Sequence, residues 1–393
     1  MKKEIEHKER AHALLSASGA ERWMNCTPSP RLEEKLGIED ETSVFAEEGT
    51  LAHELAEAEI RMKFKMITPA QYKKKIKEIE ADPLYSADMD TFVAYYVDFV
   101  REQFAEAKKR DAGAVLMVEE KYNLEPYVPE GFGTGDASVI ADGVLDIIDL
   151  KYGKGLEVSA VDNKQLKLYA LGALRKYDLV YDVHTVRLSI IQPRLDNFST
   201  WEISVEELTQ WAVNEVIPKA KAAHDGKVET KAGEWCRWCK VAPKCRAIAE
   251  KAVEVAKHEF KDPNLLDDAE VLEIYENSAF FSKWFDNVKA YVLNEAKAGK
   301  KWDGYKLVEG KSNRKINSPE KAAAILKGLN YKDDEYMKSS LKGLGDLEKL
   351  LTKKVFNEKL GALIVKPQGA PTLAPVSDKR PEFGIESAKK DFE

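Results

Sequence analysis

Residues 133–155 read GTGDASVIADGVLDIIDLKYGKG, and the fold turns on them. The runs DASVIA and GVLDII are β-branched and apolar, are bounded by glycine, and are joined by ADG, a tight hairpin turn. Asp136 closes a glycine turn and opens the first strand, while Asp149 and Lys151 lie two apart on the returning strand and so share a face. Asp142 belongs to the turn, and Asp146 points to the opposite face. Two carboxylates and a lysine converging on one hairpin make a hard-cation site beside a general base or charge stabiliser. Mg²⁺ or Mn²⁺ takes one or two carboxylates there and keeps positions for water and phosphate. Such an ion acidifies an attacking water, and a lysine can orient that water and offset developing charge.

The flanks fit an α/β core. AVLMVEEKYNL before the hairpin and TVRLSIIQP after it read as further strands, and VDNKQLKLYALGALRKY between has helical periodicity. The order is helices, then β-β-β-α-β, then helices, which implies a mixed sheet flanked by helices. Gln165 and Tyr169 stand i, i+4 on the crossover helix and present an amide and a phenol on one face, suited to fixing the lysine or a phosphate. Upstream, EEGTLAHELAEAEIRMKF is a strong helix with the stripe Leu51, Leu55, Ala58 and Met62. It carries His53, whose nitrogen at an Asp-based site shifts preference from Mg²⁺ towards Mn²⁺. A short helix over AERWMNC and a longer one over MDTFVAYYVDFVREQFAEAKKR complete the N-terminal part. Glu119 and Glu120, on the strand before the hairpin, both come within reach of the site, and spacing does not choose between them.

At 393 residues the chain has room for two or three domains, with 44% hydrophobic and 33% charged residues. KDPN at 261–264 suggests a boundary between a first domain over 1–260 and a mainly helical region over 261–366, with a Pro-rich tail over 367–393. No apolar run is long enough to cross a bilayer, and the charged start lacks a signal-peptide core, so the expectation is a cytoplasmic protein without a membrane partner. Four cysteines in that compartment read as metal ligands before disulfides. Three of them, Cys236, Cys239 and Cys245, lie in GEWCRWCKVAPKC, and Cys26 lies about 210 residues upstream. Zinc is open at such a Cys₄ set, although a zinc ribbon would bring a second close pair. Trp23, Trp235 and Trp238 stand near the cysteines as solvent shields. The net charge of −7 gives no global sign of nucleic-acid binding. Residues 61–77 nevertheless carry seven basic side chains and no acidic one, and residues 297–315 seven against two. Each patch is either a phosphate track or a solvated face.

Taken together, His53, Gly-Asp136, Asp149-Leu-Lys151 and Gln165-x3-Tyr169 resemble the RecB-like PD-(D/E)XK nucleases, whose restriction-endonuclease-like core this order would reproduce. One cysteine before the motifs and three after, in a C-x2-C-x5-C cluster, resemble the iron–sulfur branch found in AddAB and in CRISPR-adaptation exonucleases. The whole chain looks most like a phage and prophage family of stand-alone nucleases. The resemblance implies a Mg²⁺- or Mn²⁺-dependent DNA exonuclease serving recombination or replication, with single-strand-binding, annealing or replication proteins as partners. It implies that His53, Asp136, Asp149 and the Leu150 carbonyl bind the metal, that Lys151 is catalytic, and that Gln165 and Tyr169 support it. It further implies that Cys26, Cys236, Cys239 and Cys245 hold a [4Fe–4S] staple. Gly precedes Asp136 where the family name has Pro, a common departure. The alternative is a DNA-binding scaffold that keeps the Cys₄ site and recruits replication or annealing proteins. Oligomeric state leaves no trace in the sequence.

Overall fold

The computed structural model describes residues 13–36, 44–226, 228–256, 266–303 and 305. Two short helices, α1 (Ala20–Asn25) and α2 (Ser29–Leu36), precede α3 (Val44–Lys63), α4 (Pro69–Glu80) and α5 (Ala87–Arg110). Strands β1 (Val115–Asn123), β2 (Phe132–Ala141) and β3 (Gly143–Leu150) follow, then the crossover helix α6 (Lys164–Tyr177), β4 (Val183–Gln192) and β5 (Asn197–Ser204). Helices α7 (Val205–Trp211) and α8 (Ile217–Asp225) lead to the cysteine segment, α9 (Arg246–Ala256) and α10 (Asp268–Lys297).

The five strands pair in chain order, antiparallel except for β3 against β4. The parallel step needs a crossover, which α6 supplies. Ala141 pairs with Val144 across Asp142-Gly143, and Gly143 has φ 85, a conformation that glycine adopts without strain. Alternation along the strands sends Met117, Ile140, Leu145 and Ile147 into one core with α1, α6 and α7. Leu116, Val139, Ile148 and Leu150 face a second core formed with α3 and α5. With helices on both faces, β3 reads as a nearly continuous apolar run. Ile147 and Ile148 are fully buried, each contributing about 1.5–3 kcal/mol by removal from water.

The structure adds β5 to the four strands read from sequence. Its residues alternate between half-buried and exposed, so as an edge strand it carries only half an apolar signal. Helix α4 starts in the basic stretch 61–77 and runs three residues beyond it. Thr68 and Gln71 form a capping box at its start, yet Ile79 is its one fully buried residue, which leaves little periodicity to read. In that stretch Arg61, Lys63, Lys74 and Lys75 face Glu57, Asp98, Glu78 and Glu54, so much of the patch is locally neutralised.

Helix α10 packs on the cysteine segment: Trp284 Nε1 donates to the Ala242 carbonyl at 2.9 Å, and Phe280 is buried with Cys236, Ala242 and Ile248. The first compact unit accordingly runs to Leu307, past the boundary expected at 261–264, and those four residues lie outside the described ones. The second unit, Val308–Glu393, with the Pro-rich tail, also lies outside them, as do residues 304 and 306–315 of the basic 297–315 segment. Among the described residues no helix is long and apolar enough to cross a membrane.

Asp146 is 1% exposed on the α5 side of the sheet, with Arg187 Nη1 at 3.1 Å and Arg110 Nη2 at 4.0 Å. Burial pushes its carboxyl up to about 6 despite both guanidiniums. A carboxyl that binds its proton more tightly folded than unfolded loses stabilising effect as pH rises through that window. Against wild type, Asp146→Asn is therefore expected to flatten the fall in unfolding free energy between about pH 4 and 6, by up to about 3 kcal/mol in urea titrations.

Candidate active site

The C-terminal end of β3, the start of α6 and the middle of α3 meet at one group of polar side chains. Asp149 is 2% exposed, and a carboxylate there needs compensation. Lys151, two residues on, places Nζ 2.8 Å from Asp149 Oδ2. Gln165, in the first turn of α6, bridges the pair: its Nε2 donates to Asp149 Oδ1 at 3.1 Å, and its Oε1 accepts from Lys151 Nζ at 3.1 Å. The acceptor-only carboxylate and the donor-only ammonium fix which way round the amide sits, and the same Nε2 also donates to the Tyr169 hydroxyl at 3.1 Å. Tyr169 reaches this position because residue 133 is glycine. A Cβ there would lie 2.6 Å from Tyr169 Cε1 and 3.3 Å from the Ala17 side chain.

Asp136 sits across from this group. Its Oδ2 accepts the Leu150 amide at 2.7 Å, and its Oδ1 lies 3.3 Å from His53 Nδ1. The β1–β2 register places Glu119 opposite Asp136, between the pairs Val118–Ala137 and Glu120–Gly135. Glu119 has φ 51, the left-handed region that non-glycine residues seldom adopt and that here breaks the strand's alternation. Among the described residues, His53, Glu119 and Asp136 are the one group of three potential ligand atoms lying within 4.8 Å of one another. Glu120 turns away to pair with Lys176. The structure thus separates the two glutamates that spacing left equivalent.

The electrostatics describe a centre short of positive charge. Burial pushes the Asp136 carboxyl up, but His53, Lys151 and the Leu150 amide together hold it below the usual carboxylate range. Burial and the neighbouring Asp136 raise Asp149 in spite of Lys151. Burial and Asp136 lift Glu119 to about 7. Although burial opposes it, the Asp136 and Asp149 charges hold the His53 proton up to about 9. Lys151 is raised as well, the two aspartates outweighing its burial, so it is a cation at neutral pH. Imidazole and carboxylates that collect protons in this way form a donor set suited to a divalent cation, which would displace those protons.

The four cysteines lie elsewhere, around one pocket that Trp235, Leu32, Val241 and Ile248 also line. All four are free. Cys26 caps the C-terminal end of α1, and Cys236, Cys239 and Cys245 sit on short turns after α8. Backbone amides aim at three of the sulfurs: Lys231 N at 3.5 Å from Cys26 Sγ, Gly233 N at 3.4 Å from Cys236 Sγ, and Val241 N towards Cys239. Burial raises the Cys26 thiol, and it pushes Cys236 up to about 11 and Cys239 up to about 12. Of the tryptophans read as shields, Trp23 is fully buried, Trp235 packs on the cysteine core, and Trp238 is 68% exposed.

Over residues 12–381 the chain matches the model of a family described as "Protein of unknown function (DUF2800)". The chain belongs to that family. Among solved structures, this DUF2800 chain is similar to a "Putative exonuclease" from Eubacterium rectale, at 16% identity and TM-score 0.35, over 60% of this chain and 90% of the other. It is also similar to a protein designated SSO0001, at 18% identity and TM-score 0.21, over 56% and 95% of the two chains. With so little shared geometry, the function of the DUF2800 chain rests on its own residues.

In this DUF2800 chain the residues singled out in the sequence fall into two separate groups. Asp136, Asp149, Lys151, Gln165, Tyr169 and His53 meet at the sheet end, with Leu150 contributing its amide to Asp136. The cysteines surround their own pocket. Glu119 joins the first group through a backbone angle that no sequence pattern announces. Removing the ammonium alone would strand a buried carboxylate. Lys151→Met is therefore expected to cost about 3 kcal/mol in urea unfolding at neutral pH, and the double variant Lys151→Met/Asp149→Asn to recover most of it.

Proposed function

We propose that the protein is a metal-dependent DNA nuclease that hydrolyses phosphodiester bonds by attack of water and acts from DNA ends. The observation that carries this reading is the placement of the Asp149–Lys151–Gln165–Tyr169 chain beside the His53–Glu119–Asp136 donor group, at one end of a mixed sheet. His53, Asp136 and Glu119 would hold a Mg²⁺ or Mn²⁺ ion, with Asp149 and the Leu150 carbonyl as further candidate ligands. When bound, the ion supplies acidification of a water and screening of the scissile phosphate. Lys151 stays protonated through its neighbours, so its part is to donate hydrogen bonds and positive charge to the attacking water and the developing phosphorane oxygens. Asp149 and Gln165 aim that ammonium, and Tyr169 holds Gln165 in the orientation that allows it.

The cysteines are proposed to bind a [4Fe–4S] cluster that staples α1 to the segment after α8. The four sulfurs share one pocket, which brings Cys26 beside the three cysteines that follow α8. A single zinc ion is the other occupant that four thiolates can take. The one-before, three-after order of the cysteines resembles the iron–sulfur branch and supports the cluster.

Purified protein is expected to degrade linear DNA with Mn²⁺ or Mg²⁺, and end-labelled linear against closed circular DNA separates exonuclease from endonuclease action. Asp149→Ala and Lys151→Ala are each expected to lower cleavage by at least about 10³-fold with the fold retained, since each removes a group that acts on the reacting centre. Intact DNA under all metals and strand types would overturn the reading. Anaerobically purified protein is expected to be brown, with iron and sulfide near four per chain. A colourless, zinc-loaded protein would refute the cluster. Cys26→Ala is expected to melt at lower temperature and to lose cleavage with the carboxylates untouched.

A further inference from the structure

Helix α3 carries His53 and is fastened to the sheet on both sides of that residue. Eight residues after His53, Arg61 Nη2 donates to the Val118 carbonyl at 3.0 Å, beside Glu119 on β1. Five residues before it, Glu48 Oε1 accepts from Arg194 Nη1 at 2.9 Å. At the helical rise these anchors stand about 12 and 7.5 Å from His53 along the axis.

Arg194 does more than close an ion pair. It lies in the turn Pro193–Leu195 directly after β4, the strand whose parallel pairing positions the end of β3. Its guanidinium sits over the Tyr152 ring, 4.6 Å from the centroid, and Tyr152 is the residue that follows Lys151. Tyr152 is 3% exposed and the Arg194 side chain 13%, so this stack is part of the interior rather than a surface contact. A guanidinium can do both jobs at once, one edge on a carboxylate and its plane stacked on a ring, whereas an ammonium has no plane to stack.

From this geometry we infer that Arg194 is a positioning residue: by joining Glu48 to Tyr152 it sets the separation between His53 on α3 and the strand end bearing Asp149 and Lys151. The inference rests on the metal-binding reading of that site. Groups that orient ligands in this way typically change metal affinity by about 10–100-fold when removed.

The test is Mn²⁺ binding to the full chain, followed by the electron paramagnetic resonance of free Mn²⁺, with melting temperature measured alongside. Arg194→Ala is expected to weaken Mn²⁺ binding by at least about 10-fold. Glu48→Gln should reproduce much of the loss, and Arg194→Lys should restore part of it. The double variant Arg194→Ala/Glu48→Gln should bind no more weakly than Arg194→Ala alone, because both act through one contact. Unchanged Mn²⁺ affinity in Arg194→Ala, whatever its melting temperature, overturns the inference, as does a fully additive double variant. If Arg194→Ala does not fold, Glu48→Gln decides, and wild-type affinity there overturns the inference. Wild type that binds no Mn²⁺ marks instead the failure of the metal-binding reading.

Discussion

A carboxylate buried at the end of a strand is the constraint from which the rest of the site follows. Asp149 is almost wholly out of water, and a charge in that position is tolerable only with a counter-charge and donors arranged around it. Lys151 directly follows the same strand, two residues on, which keeps it on the face of Asp149. Gln165 comes from the crossover helix, so α6 must start where it does for the amide to reach both. Tyr169 then needs room, which only a residue without a side chain at position 133 leaves. One buried charge thus ties together two strands, a helix and a glycine on the neighbouring strand.

On the other side, the left-handed backbone at Glu119 brings a third acidic group against Asp136 and His53. Three acids near one histidine and one lysine repel one another, and the site stores that repulsion as bound protons. The same arrangement that costs stability without a cation is the one that favours a cation, which is how functional sites commonly depart from what folding alone would choose.

Local pattern made much of this legible. The hairpin could be read because Asp-Gly turns and β-branched runs act over a few residues, and the i, i+4 spacing of Gln165 and Tyr169 needs only helical geometry. The cysteines stood out because the chain has only four. What stayed hidden depended on contacts between distant segments or on single backbone angles. Glu119 and Glu120 look alike in sequence and are parted by one φ value. Strand β5 shows one apolar face at an edge, and α4 is held by its cap more than by its stripe. Arg194 and Glu48 lie 146 residues apart and leave no local trace.

The cysteine pocket also has a consequence for how the chain is made. Cys26 leaves the ribosome about 210 residues before Cys236, an interval of roughly 10–40 s at ordinary rates of synthesis. Throughout that interval Cys26 stands apart from the three cysteines whose pocket it will share, while the sheet that lies between them in sequence is still being translated. The cysteine pocket therefore closes late, and a chain interrupted before residue 236 would carry every residue of the candidate site while holding its beginning through the core contacts of α1 alone.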